Sequence, residues 1–111
     1  MRVSLLIIAL IFLGPLFINA QSNHEQLSNH IAQKMKDSLN LTNQQRDSIY
    51  AVNIQLSEWK ISVRQQYTNP DSLRRHMQIV ENRRDSLYRP FLSEEKYQLY
   101  LQKKRNLISN N

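Results

Sequence analysis

Gly14 is the single glycine of this chain, and cysteine is absent altogether. Beyond it the backbone lacks the residue that makes positive-φ hairpin turns easy. It also lacks any Gly-rich loop of the kind that cradles phosphates. These two absences argue against a hairpin-rich β fold and against nucleotide-loop chemistry. Without cysteine there is no disulfide, so a small domain must gain its stability from packing or from oligomerisation. Gln, Asn, Leu, Arg, Lys and Ser dominate the remainder, a composition suited to helices with polar outer faces.

The N-terminus has a different character. Arg2 is followed by an almost wholly apolar run from Val3 to Phe17, and Ile18-Asn19-Ala20 ends on a small residue. This is the layout of a secretory signal peptide cleaved after Ala20. The run is shorter than the roughly 20 residues a membrane span requires, so no stable membrane insertion is expected after cleavage. Residues 21–111 then form a single domain, expected in the periplasm. The formal net charge is +6, with the excess towards the C-terminal half. Export turns that charge away from nucleic acid and towards acidic polypeptides, lipid head groups or anionic polysaccharide.

Periodicity predicts four helices. The first opens at Ser22 with Glu25 as a capping box, carries Leu27, Ile31 and Met35 on one face, and fades between Asp37 and Asn40. The second starts at Thr42 and runs to about Tyr67. Gln45 completes its capping box and Leu41 sits at the staple position. Its stripe is Ile49, Val52, Leu56, Trp59 and Val63, widened by Tyr50, Ile54 and Ile61. Asn69-Pro70-Asp71 caps and restarts the chain. The third helix carries Leu73, Met77, Val80 and Leu87, with Arg84 on the same line. Arg84 either snorkels from a core edge or faces a groove. Pro90 ends that helix and Ser93 caps the fourth, in which Tyr97, Leu101 and Ile108 face inward with Tyr100 and Leu107 beside them. The expected fold is all-α: a four-helix hairpin assembly with coiled-coil-like seams, helices two and three antiparallel, and a homodimer covering what remains of the stripe on helix two.

Two helix starts resemble each other. Leu41-Thr42-Asn43-Gln44-Gln45 and Leu92-Ser93-Glu94-Glu95-Lys96 each place a leucine before a hydroxyl cap and a long polar side chain three residues after that cap. In these residues the chain resembles the Spy/CpxP family of periplasmic proteins, whose signature is a repeated LTxxQ motif. Leu41, Thr42 and Gln45 match the first copy; Leu92 and Ser93 match the second loosely, and Lys96 stands where the family has Gln. The likeness spans about Leu39 to Leu107, with a shorter segment between the motifs than in the best-known members. The resemblance implies antiparallel, cradle-like helical homodimers. It also implies one of three roles: an ATP-independent chaperone for unfolded envelope proteins, a regulatory adaptor for an envelope-stress sensor, or a metal-binding sensor.

Arg64, Arg74, Arg75, Arg83, Arg84 and Arg89 form the candidate protein-binding set, since arginines contact apolar and acidic segments without demanding one sequence. The alternative is an ordinary solvated face. Trp59 lies in the stripe and is expected in the core or a dimer contact, whereas Tyr67 and Tyr88 near helix ends are the better candidates for an exposed patch. His24, His30 and His76 lack the i, i+4 spacing of paired ligands, and no metal or other cofactor is expected. No nucleophile–base arrangement is recognisable, so no catalytic residue is expected.

Overall fold

Local capping sets where each helix begins. In the computed structural model, which describes residues 23–109, every regular element among those residues is helical. Helix α1 covers 23–39, α2 Asn43–Gln66, α3 Pro70–Tyr88 and α4 Glu94–Ile108, with a 3-10 turn at Arg89–Phe91 before α4. The expected leader at 1–20 and the expected cap at Ser22 lie outside the described residues. None of the helices among the described residues is long and apolar enough to cross a membrane.

At the start of α2, Thr42 Oγ1 accepts from the Gln45 N–H at 3.1 Å, and Gln45 Oε1 accepts from the Thr42 N–H at 2.9 Å. Two orphan donors of the first turn are thereby satisfied. Asn69 Oδ1 accepts from the Asp71 and Ser72 N–H groups with Pro70 in the first turn, and Ser93 Oγ accepts from the Lys96 N–H. The end of α1 solves the lack of glycine with Asn40 at φ 55°, while the Leu41 N–H donates back to the Lys36 carbonyl at 3.0 Å. Asparagine is among the few non-glycine residues that enter this left-handed region readily. Thr42→Ala is expected to lower the unfolding free energy by about 1 kcal/mol in urea denaturation, with Thr42→Ser retaining most of it.

Each helix lies antiparallel to the next. Asn53 on α2 meets Ser28 on α1, and Arg46 reaches back to Gln33. Lys60 on α2 meets Glu81 on α3, and Asn53 meets Arg84 and Tyr88 further along. Asp85 on α3 meets Tyr100 and Lys104 on α4. Helix α4 returns alongside α1: Lys96 and Lys103 donate to the Leu39 and Ser38 carbonyls, and Lys34 donates to those of Asn106 and Ser109. The C-terminal carbonyls of both helices thus gain cationic partners where the helix dipole favours them.

Ile31, Met35, Leu39, Ile49, Leu56, Val80, Tyr88 and Tyr100 are among the side chains that fill the shared core. Leu27, Ile61 and Leu101, expected to face inward, are instead 37%, 43% and 39% exposed, and Trp59, expected in the core or a dimer contact, is 38% exposed and stands outside the core of a single chain. On α2 the inner line passes through Asn53, Leu56, Lys60 and Val63, because Asn53 and Lys60 are drawn to polar partners on α3; Trp59 is thereby turned outward. On α4 the Tyr100 ring packs edge-on against Tyr88 with centroids 5.2 Å apart. That contact turns Tyr97, Tyr100 and Leu107 inward and Leu101 out. A single chain therefore covers most of the α2 stripe by itself.

Candidate functional site

Three features carry chemistry: a polar cluster in the core, the contact between the two motifs, and the basic outer face of α3. The core cluster centres on Arg84, which is 4% exposed. Its Nε and Nη2 donate to the two carboxylate oxygens of Glu81 at 2.9 and 3.2 Å, while Nη1 donates to Tyr88 Oη at 2.8 Å and Asn53 Oδ1 at 3.4 Å. Lys60 pairs with Glu81 from the other side, Tyr88 Oη donates to Asn53, and Asn53 Nδ2 donates to the Ser28 carbonyl at 2.9 Å. Three helices are tied together by this network.

Burial works against the charge on Glu81, but the hydrogen bonds from Arg84 and Lys60 outweigh it and hold the carboxyl down at about 2. Burial likewise opposes the charge on Arg84, and contact with Glu81 and Tyr88 more than restores it. Burial pushes the Tyr88 phenol up to about 12, although Arg84 counteracts part of that rise. Tyr100 is raised by burial and by donating its hydroxyl to Asp85 at 2.7 Å.

This arrangement removes Arg84 from the expected binding surface, because its guanidinium is spent inside the core. Tyr88 is also a correction: it is fully buried rather than part of an exposed patch. Tyr67 is half-buried and stacks on His76 at 3.7 Å. Asn53 carries no local signal of its depth in the sequence, because nothing nearby distinguishes a buried Asn from a surface one. The i−3 and i+4 placement of Glu81 and Tyr88 about Arg84 was the available signal.

The motif residues meet each other. Gln45 Nε2 donates to the Phe91 carbonyl at 3.1 Å, immediately before the second motif. Lys96 Nζ donates to the Leu39 carbonyl at 2.5 Å, just before the first. Leu41 and Leu92 are both buried. Each motif therefore caps its own helix and grips the chain leading into the other. The motif side chains are occupied structurally: Lys96 repeats the grip of Gln45 on the other motif, but its ammonium only donates, so the second copy lacks the reciprocal bond by which Gln45 completes its capping box.

The rest of the basic set is exposed. Arg74 pairs with Asp71 at 3.4 Å, both largely in solvent. Arg89 reaches Glu94 at 3.4 Å and lies over the Tyr97 ring at 4.8 Å. Arg64, Arg75 and Arg83 have no acidic partner among the described residues. Arg75, Ile79 and Arg83 follow one another at four-residue spacing on the solvent side of α3, and Ile79 is 48% exposed.

His24 and His30 lie on α1, and His76 Nδ1 sits 2.8 Å from the Ser72 carbonyl. Among the described residues no three His, Asp or Glu side chains gather as a metal site would require. No protein-family model, curated protein or solved structure matches the chain.

Proposed function

We propose that this chain is an exported, ATP-independent protein-binding module of the bacterial envelope, a divergent relative of the Spy/CpxP family that shields unfolded envelope proteins. The observation that carries this reading is the strip Arg75–Ile79–Arg83. An exposed isoleucine stands between two guanidiniums that have no acidic partner among the described residues. Such a strip attracts acidic segments over a distance and holds apolar ones at contact without reading a specific sequence. The mutual grip of the two motifs supports the kinship, because it gives an LTxxQ-type pair a reason to occur twice in one domain. Homodimer formation belongs to the same proposal, with Trp59 and Leu101 as apolar side chains available to a second copy.

Light scattering from a chemically denatured client, diluted with and without the purified protein, tests the reading. Suppressed aggregation at stoichiometric excess is expected, and Arg75→Glu with Arg83→Glu is expected to abolish most of it while leaving the helical circular dichroism unchanged. Undiminished aggregation with the unaltered protein would remove the holdase reading. The strip spans only about 12 Å of helix, which also suits docking to one defined partner such as a sensor domain. A single stoichiometric partner in a crosslinked pull-down, in place of mixed unfolded proteins, would favour that regulatory role.

A further inference from the structure

A second feature, independent of the α3 strip, lies between the start of α1, the second half of α2 and the end of α4. There the helices leave a cleft of about 400 Å³, within the size range of small-molecule sites. Leu27 and Ile31 from α1, Ile61 from α2 and Ile108 from α4 give the lining its aliphatic part. Lys60 and Arg64 from α2 and Arg84 from α3 add cationic side chains, with the buried Asn53 and Ser28 also lining it.

The charges there do not balance. Glu81 satisfies Lys60 and Arg84 together. Arg64 has no hydrogen-bonding or acidic partner among the described residues. The Nε2 atom of His24, also on the cleft, is buried and lacks a hydrogen-bond partner. A buried polar nitrogen left without a partner is costly. A carboxylate bound there would accept from the Arg64 guanidinium, a charge-assisted contact and the stronger kind of hydrogen bond, and from His24 Nε2 in the tautomer that carries its proton on that nitrogen. Leu27, Ile31, Ile61 and Ile108 offer aliphatic contact for a hydrocarbon chain attached to that carboxylate.

We propose that this cleft binds a medium-chain aliphatic carboxylate, its head held by Arg64 and His24 and its chain laid against Leu27, Ile31 and Ile61. Isothermal titration of the purified protein with octanoate tests the assignment, with 1-octanol as the uncharged control of equal length. Saturable binding of one octanoate per chain is expected, with much weaker binding of octanol. Arg64→Gln is expected to weaken octanoate binding at least tenfold and His24→Gln severalfold, both with unchanged circular dichroism. Lack of saturable binding up to millimolar octanoate, equal binding of octanol, or an Arg64→Gln protein that binds as the original does would each overturn it. Tighter binding of N-acetylleucine than of octanoate would also overturn it, assigning the cleft to a peptide chain end.

Discussion

Arg84→Ala is expected to lower the unfolding free energy by about 3–5 kcal/mol in urea denaturation at neutral pH, the cost typical of removing one partner from a buried ion pair. Such a loss is a large share of the roughly 5–15 kcal/mol that holds an ordinary domain folded. The size follows from what the substitution strands. Glu81 loses two of its hydrogen bonds and keeps only Lys60, and Tyr88 and Asn53 each lose a donor within the core. Arg84→Lys is expected to recover little, because a single ammonium cannot serve Glu81, Tyr88 and Asn53 in the geometry of the planar fork. Arg74→Ala provides the contrast. Its pair with Asp71 is largely in solvent, so the expected change lies within about 0.5 kcal/mol. An Arg84→Ala protein within 1 kcal/mol of the original would show that the network is dispensable to stability.

The contrast between these two arginines also marks what a sequence reveals and what it hides. Helix starts were legible because their determinants are local: Thr42 with Gln45, Asn69 with Asp71, and Ser93 with Lys96 bond across two or three residues. The all-helical class followed from the same caps and from apolar spacing. Depth was not legible to the same degree. Arg84 lies on the apolar line of α3, but its burial depends on Asn53, 31 residues away on α2. The rotation of a helix about its axis escaped for a related reason. Lys60 faces inward because Glu81 awaits it across the helix pair, and Trp59 consequently turns out. Leu101 yields its place to Tyr100 because a second tyrosine, on α3, offers the better packing. The grip between the motifs and the cleft beside Arg64 are tertiary features as well. Each joins segments whose individual residues look like ordinary helix surface.

Stability is expected to hold level between about pH 5 and 9 and to fall on both sides, for two separate reasons. On the acid side the group is Glu81, whose folded value is near 2 against an ordinary value of 4.5. Its contribution is complete above 4.5 and is lost as pH falls towards 2, because the unfolded chain takes up the proton first. On the alkaline side the group is Tyr88, held neutral to about 12 where a free phenol ionises near 10. The unfolded tyrosine gives up its proton first, so its contribution is complete below 10 and disappears between 10 and 12. At 1.36 kcal/mol per pH unit each limb is on the order of 3 kcal/mol. Tyr100, raised by burial and by Asp85, steepens the alkaline limb in the same sense. Urea midpoints measured from pH 2 to 12 give both limbs in one experiment. Tyr100→Phe separates them: it removes a titrating hydroxyl next to Asp85 and leaves the Glu81 pair intact, so the alkaline loss should become shallower while the acid limb is unmoved. A midpoint flat to pH 12, or an alkaline limb identical in Tyr100→Phe, would mean that these tyrosines reach solvent and that the α3–α4 seam is looser than their packing implies.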